Sequence, residues 1–169
     1  MGSSCTLSVF GSGRSAAEWA AWAANCGFEV LWGVPHPGDP AEAERLLRNR
    51  RHPLLYTPSL AAKVRCVAWP EFLERLPGAD WVLGCHDGPP ETLAVQFLSV
   101  QTRLGARQTI LVHLPAAKLS SVVRLGGGEA LVRRTFGLRL YPDALRTRLV
   151  GLVAPEGALA DERRRVADL

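Results

Sequence analysis

The sequence lacks the motifs of several common catalytic and metal-binding sites. Its four cysteines, Cys5, Cys26, Cys66 and Cys85, are widely spaced and form no CxxC pair, so we expect no metal site. No Walker loop, no GxSxG motif and no pair of carboxylates at a sensible catalytic spacing occurs. The sequence therefore gives no support for a P-loop enzyme or a hydrolase.

Long apolar runs and a strong excess of charge are also missing. No segment approaches the roughly 20 apolar residues that a membrane-spanning helix needs, and the N-terminus lacks the basic region of a signal peptide. The net charge is only +4, from 20 basic and 16 acidic residues, and most arginines are scattered. We expect a cytoplasmic protein with no membrane and no nucleic-acid partner, while a weak preference for anions such as phosphates stays open.

The sequence does contain a regular alternation of short apolar runs with helical stretches. Its 169 residues, of which 47% are hydrophobic, suit one domain with a sizeable core. Such alternation is typical of βαβ units around a parallel sheet. We predict an α/β fold over residues 1–169, a single Rossmann-type domain with a doubly wound, mostly parallel sheet flanked by helices.

The apolar runs predict the strands, including one or two extra strands near the C-terminus, and the segments between them predict helices. Strands are expected at 6–10, 28–32, 64–67, 80–85, 109–113, 136–140 and 149–153. Helices are expected at 15–26, 41–51, 70–76, 90–104 and 117–125, with irregular chain at 52–58, a glycine break at 126–128 and a helix or frayed tail at 161–169.

A glycine-rich turn follows the first predicted strand and precedes the first predicted helix. It matches the GxGxxG/A pattern of dinucleotide-binding folds with Gly11, Ser12, Gly13, Arg14, Ser15 and Ala16. The first glycine allows a tight turn, the second lets the backbone approach a pyrophosphate, and the small Ala16 allows close helix packing. The free N–H groups of the helix then face the phosphate. We predict that these six residues bind a cofactor, although a plain glycine turn without ligand is the alternative.

The second predicted strand lacks the acidic residue that NAD-binding units usually place at its end. That strand ends in Trp32, Gly33 and Val34, and Glu29 lies at its start. A missing acceptor for the ribose hydroxyls would cost about 1–3 kcal/mol, or roughly 10- to 100-fold in affinity. Asp39, which lies among prolines, is an alternative residue that could reach back to the ribose hydroxyls. We include Trp32 and Gly33 among the cofactor-binding residues, with Trp32 either stacking on an adenine or, as we favour, filling its pocket.

Further sequence runs follow the glycine turn in a suggestive order. They are GFEVLW at 27–32, GADWVLGC at 78–85, QTILVHLPAAKLSS at 108–121 and FGLRLYP at 136–142. Together they resemble the N-terminal domain of 3-hydroxyacyl-CoA dehydrogenases over about residues 7–152. The resemblance implies an NAD-binding, oxidoreductase-like fold. It also implies a C-terminal helical domain, before which the present chain ends.

The resemblance fails at the residues that would perform the dehydrogenase reaction. The family uses a histidine as base, oriented by a glutamate in the following strand. Arg139 matches the histidine and Gly151 the glutamate. A guanidinium stays protonated and cannot act as a base. The family's substrate-binding Asn-Thr-Ser-Ser segment matches Leu114-Pro115-Ala116-Ala117 or a one-residue shift of it, and its acid after the fourth strand matches near Gly84.

Two histidines are weak candidates for a replacement chemistry. His86 and His113 end the fourth and fifth predicted strands, at the edge where ligands bind in doubly wound sheets. They could converge with Cys85 beside the glycine turn as an acid/base or metal site, but we favour ordinary loop residues beside a vestigial cleft. Arg14 and Arg139 could together clamp a carboxylate or phosphate.

Three functions therefore compete. The first is a divergent, non-catalytic NAD-fold protein, a pseudoenzyme that binds a nucleotide or acyl-CoA-like ligand and forms a homodimer to cover apolar surface. The second is an active NAD-dependent oxidoreductase on a 3-hydroxyacyl-type substrate that uses a partner chain, His86 or His113. The third is a structural or interaction subunit without a small ligand. We favour the first, and whether NAD binding is retained stays open.

Overall fold

A computed structural model describes residues 5–49, 51–86, 89–104, 109–113, 135–140, 150–153 and 164. The strands are β1 (Thr6–Ser12), β2 (Glu29–Val34), β3 (Val64–Ala68), β4 (Trp81–His86), β5 (Thr109–His113), β6 (Thr135–Leu140) and β7 (Val150–Val153). The helices are α1 (Gly13–Asn25), α2 (Pro40–Leu47), α3 (Trp69–Arg75) and α4 (Pro90–Gln101), with short 3₁₀ helices at Pro58–Lys63 and Leu76–Gly78.

The strands form a seven-stranded sheet in the order β3-β2-β1-β4-β5-β6-β7. β1 to β6 run parallel, and β7 pairs antiparallel with β6. The chain first winds outward from β1 to β3, then returns to β4 on the other side of β1 and winds the opposite way. This arrangement confirms the predicted Rossmann-like, doubly wound sheet, and the two C-terminal strands are the predicted additions. The winding reverses between β1 and β4, which is where such sheets bind ligands.

Two apolar clusters cover the opposite faces of the sheet. One joins α1 to the sheet through the fully buried Trp19 and a run of alanines that lets the helix lie close. The other joins α3 and α4 to the sheet, with the Phe10 ring centroid 6.2 Å from those of both Phe72 and Phe97. Because each strand alternates its side chains between the faces, β1 contributes Val9 to the first cluster and Phe10 to the second.

Several predicted element boundaries differ from those in the structure. β1 continues to Ser12 and α1 begins at once at Gly13, so the glycine turn has almost no loop. α2 ends at Leu47 rather than at residue 51, because Arg48 leaves the helical conformation (φ −90°, ψ 11°) and the inward-facing apolar positions stop there. α4 ends at Gln101 rather than at residue 104. The segments predicted at 117–125 and 126–128, and most of 161–169, lie outside the described residues.

Asn25, at the end of α1, holds the chain that leads towards β3. Its buried side-chain amide donates to the Leu54 carbonyl (3.0 Å) and its carbonyl accepts from the Tyr56 N–H (2.9 Å). One side chain thereby satisfies two backbone groups of a segment without regular structure, which sequence patterns alone do not predict.

We therefore expect Asn25→Ala to lower the free energy of unfolding by about 2–4 kcal/mol, because two backbone groups lose their partner. The matched control is Asn49→Ala, because the exposed Asn49 side chain accepts a hydrogen bond from only the Arg51 N–H in the described structure. We expect this variant to lose less than about 1 kcal/mol of unfolding free energy. Chemical denaturation of both variants measures the difference. Equal losses would contradict the role given to Asn25.

Candidate functional site

The glycine turn lies at the carboxyl ends of the central strands, where the winding of the sheet reverses. Gly11 and Gly13 both adopt positive φ angles, 135° and 82°. Gly13 is exposed, and Ser12 is the N-cap residue of α1, but its side chain makes no hydrogen bond to the helix. The first turn of α1 contains no acidic residue. No acid in the first turn of α1 therefore neutralises the positive end of the helix dipole. That end remains available to attract an anion.

Gly11 is required by the packing of β1 against β4. A Cβ atom at this position would lie 1.6 Å from the carbonyl oxygen of Cys85 and 2.7 Å from its carbonyl carbon. No rearrangement of a flexible side chain can relieve this contact, because both atoms belong to the backbone of the neighbouring strand. The first glycine of the motif therefore has a structural reason that needs no ligand.

Trp32 lies in β2 and is hydrogen-bonded to the glycine turn from the neighbouring strand. Its side chain is 0% exposed, and its indole Nε1 donates to the Gly11 carbonyl oxygen at 3.0 Å. A donor from β2 thus fixes the backbone where β1 turns into α1. The enclosed ring is what we expect of a residue that fills space beneath a ligand. Stacking on an adenine would need an accessible ring face.

A cleft of about 350 Å³ opens next to the turn, between the end of β2, α2 and α4. Its floor and walls come from three places in the chain: the turn, the β2–α2 segment, and the side of α4 that carries Thr92 and Gln96. The lining residues used below are Ser12, Gly13, Trp32, Asp39, Glu42 and Gln96. No lysine or arginine lines this cleft among the residues the structure describes.

The wall opposite the turn is rich in hydrogen-bond acceptors. Asp39 caps α2, accepting from the Ala41 N–H at 2.9 Å, and Glu42 follows in the first turn of α2. The Oε1 atom of Gln96, on α4, is buried without a hydrogen-bond partner in the described part of the chain. Such an oxygen is costly unless something donates to it. The wall therefore suits a ligand that presents hydroxyl or amino groups.

Sequence reasoning considered Asp39 but missed Glu42 and Gln96. The pair Asp39 and Glu42 has the spacing of a capping box, Asp-x-x-Glu, at the start of a helix. That signal predicts where α2 begins. It therefore also predicts that both carboxylates lie close to the end of β2. Gln96 gives no comparable signal, because only the packing of α4 against β4 brings it to the cleft.

Three other predicted site residues have packing or pairing contacts of their own. The Arg14 guanidinium, 69% exposed, bonds the Glu18 carboxylate (Nε to Oε1, 2.7 Å), which raises the pKa of Arg14. A Cβ on Gly33 would lie 2.2 Å from a ring carbon of Phe72, so its missing side chain makes room for α3. Cys85 is fully buried in the core. Whether Arg14 and Gly33 also bind a cofactor stays a prediction.

The strand pairing fixes the backbone positions of the remaining candidates. His86 pairs with Ser12, so it ends β4 directly beside the glycine turn, and His113 ends β5 opposite Leu138. Arg139 and Gly151 pair directly with each other across β6 and β7. The segment at 114–117 lies outside the described residues.

Metal and thiol chemistry find no support in the described residues. No group of three or more histidine, cysteine or acidic side chains is placed to hold a metal ion among them. Burial, together with the negative charge of Glu44, raises the pKa of the Cys66 thiol to about 12, so this thiol stays protonated at neutral pH. None of the described helices is both long and apolar enough to cross a membrane.

Comparison with known proteins gives a match by fold. No protein-family model matches the sequence, and neither does any curated protein. (S)-3-Hydroxybutyryl-CoA dehydrogenase from Ralstonia eutropha is 13% identical, with a TM-score of 0.74 over 98% of this chain and 59% of that chain. A 3-hydroxyacyl-CoA dehydrogenase from Archaeoglobus fulgidus is 14% identical, with a TM-score of 0.75 over 97% of this chain and 52% of that chain. 3-Hydroxybutyryl-CoA dehydrogenase from Escherichia coli K12 is 17% identical, with a TM-score of 0.73 over 98% and 36%.

The chain therefore spans between 36% and 59% of the length of these three dehydrogenases. At such low identity the likeness establishes a shared fold. It confirms, at that level, the resemblance to 3-hydroxyacyl-CoA dehydrogenases seen in the sequence runs.

The Trp32 hydrogen bond can be tested by comparing two tryptophans of the core. We expect Trp32→Phe to lower the free energy of unfolding by about 1–3 kcal/mol more than Trp22→Phe, because only Trp32 leaves a buried carbonyl without its donor. The Trp22 indole N–H is buried but has no hydrogen-bond partner in the described structure, so both variants share the loss of ring volume and differ in the bond. Denaturant unfolding gives the free energy of unfolding of both variants. A larger loss for Trp22→Phe would contradict a stabilising role for the Trp32 hydrogen bond.

Proposed function

We propose that the chain is a single Rossmann-type domain that binds an NAD-type dinucleotide and does not catalyse the dehydrogenase reaction. The glycine turn would hold the pyrophosphate through the exposed Gly13 and the free N–H groups of α1. The adenosine half would lie in the adjacent cleft, above Trp32. The observation that carries the proposal is the position of that cleft, which joins a helix N-terminus without a side-chain capping bond to a wall of acceptors.

The acceptor wall also supports a preference between dinucleotides. Asp39 and Glu42 would accept from ribose hydroxyls, replacing the acid that β2 lacks, and Gln96 would offer its unpartnered oxygen. A 2′-phosphate would face two carboxylates and no cation among the described lining residues. Like charges at short range are strongly unfavourable in a partly enclosed cleft. The site therefore favours NAD over NADP.

The absence of catalysis is proposed from the pairing of β6 with β7. By resemblance, the family's base and its orienting acid match Arg139 and Gly151, and these positions lie directly opposite each other in the sheet. Their pairing supports the alignment, because a base and the carboxylate that orients it must be neighbours. An arginine cannot accept the hydroxyl proton, and a glycine has no carboxylate to orient it.

Cofactor selection is tested by titrating the protein with NAD and NADP. We expect NAD to bind at least about 10-fold more tightly, and Glu42→Arg to reduce or reverse that ratio, since the charge facing a 2′-phosphate changes sign. Glu91→Arg is the matched control, because this exposed residue in the first turn of α4 does not line the cleft. Calorimetry gives the affinities. Equal binding of both dinucleotides by the unmodified protein would argue against an acceptor-lined adenosine site.

The glycine turn itself is tested with a pair of glycine variants. Gly13→Ala adds a Cβ where φ is +82° and where a pyrophosphate would approach, so we expect at least about a 10-fold loss of NAD affinity. Gly78→Ala is the control, because its Cβ would meet no atom within 4 Å.

The absence of catalysis has its own test: neither these variants nor the unmodified protein should oxidise NADH with acetoacetyl-CoA. Turnover by the unmodified protein would instead favour an active oxidoreductase that uses a partner chain, His86 or His113.

A second candidate function is an interaction subunit, for which the outer face of α4 is the supporting observation. Val95 and Leu98 lie close together on that helix and are 65% and 46% exposed. Burying them in a homodimer would remove apolar surface from water. Sedimentation at several concentrations tests self-association. A dimer that binds no nucleotide would favour this candidate over the first.

A further inference from the structure

A second cleft, of about 400 Å³, lies at the opposite end of the strands from the glycine turn. It is formed by the first halves of β1, β2 and β3 and by the end of α3. Ser8, Lys63, Arg65 and Arg75 line it, together with one acidic residue, Glu29. In the part of the chain that the structure describes, it shares no lining residue with the cleft beside the glycine turn, so it is independent of the function proposed above.

Ser8 is the unusual residue of this cleft. It lies in the central strand, is 1% exposed, and its hydroxyl has no hydrogen-bond partner within the described structure. Strand pairing aligns Ser8 with Leu31 and Leu31 with Arg65, so the three residues form one row on the same face of the sheet. A buried hydroxyl without a partner is destabilising unless a group entering the cleft bonds to it.

The three cations that line the same cleft are bonded to neighbouring acceptors. Arg65 and Arg75 both bond the same Glu71 oxygen, at 2.7 and 3.0 Å, and each uses one nitrogen. Lys63 bonds the Glu29 carboxylate and the Gly27 carbonyl oxygen, both at 3.1 Å. A guanidinium carries five N–H donors and an ammonium three. These two bonds to Glu71 therefore use only a minority of the N–H donors that the two arginines carry.

The acidic groups nearby are already engaged. Glu29 accepts from Lys63, Glu71 accepts from both arginines, and the Asp80 carboxylate accepts from the Thr6 backbone N–H at 2.8 Å. They hold the cations in position, and the cleft itself is lined by three cations and one carboxylate. Fixed guanidinium groups of this kind suit the oxygens of a phosphate or carboxylate.

We propose that this cleft binds the phosphate or carboxylate group of a small molecule. The Ser8 hydroxyl donates to one oxygen of the group, and Arg65 and Arg75 donate to the others. Binding would satisfy the buried hydroxyl and use the free donors of both arginines. The site takes compact oxyanions and has no part in holding the dinucleotide.

Backbone amide NMR of the full chain tests this, with inorganic phosphate and acetate as separate probes at constant ionic strength. We expect saturable shifts at Ser8, Leu31 and Arg65 with at least one probe, and the comparison tells which oxyanion is preferred. Ser8→Ala should abolish these shifts and raise the melting temperature of the protein without anion, because the unpartnered hydroxyl is gone. Arg65→Gln, at a 58% exposed side chain, should weaken binding about 10-fold.

Three results would overturn the proposal. The first is the lack of any shift in this cleft with either probe. The second is shifts confined to the amides of Gly13 and Arg14, which would assign the anion to the nucleotide site instead. The third is shifts in the cleft that persist unchanged in Ser8→Ala and Arg65→Gln. If the oxyanion site fails this test, the dinucleotide proposal is unaffected, because dinucleotide binding is measured at the opposite ends of the strands.

Discussion

The close approach of β1 to β4 at Gly11 is the constraint on which the site depends. A Cβ atom there would lie 1.6 Å from the Cys85 carbonyl oxygen, so only glycine permits the two strands to pair up to the turn. That pairing continues to Ser12 beside His86, and α1 begins at the next residue. The N-terminus of the helix is thereby brought to the point where the winding of the sheet reverses.

Trp32 adds a second constraint from the neighbouring strand, since its indole N–H binds the Gly11 carbonyl at 3.0 Å. A large ring at this position fills the space beneath the cleft. The acceptors that could serve a ribose then come from α2 and α4 rather than from the end of β2. Asp39 and Glu42 are part of a helix cap, so the same residues that begin α2 also form the wall.

Much of the fold is predictable from sequence because it rests on local periodicity. The apolar run at 109–113 predicts β5 with its observed bounds, and the glycine pattern predicts the junction of β1 and α1. The end of α2 was not predicted, because the helix-favouring arginines after Leu47 carry no sign that the chain turns away there. The roles of Gln96 and Ser8 are not predictable from sequence for a different reason. Their unpartnered polar atoms are properties of packing between distant segments, which no spacing in the sequence encodes.

The most direct test is a crystal structure of the protein with NAD⁺. We expect density for the pyrophosphate over Gly13 and for the adenosine in the cleft above Trp32, with Asp39 or Glu42 bonded to the ribose hydroxyls. Two observations would contradict it: no dinucleotide at the turn at saturating concentration, or a nicotinamide beside an imidazole and a carboxylate in mutual contact. The second would mean that the domain has a complete proton-transfer pair after all.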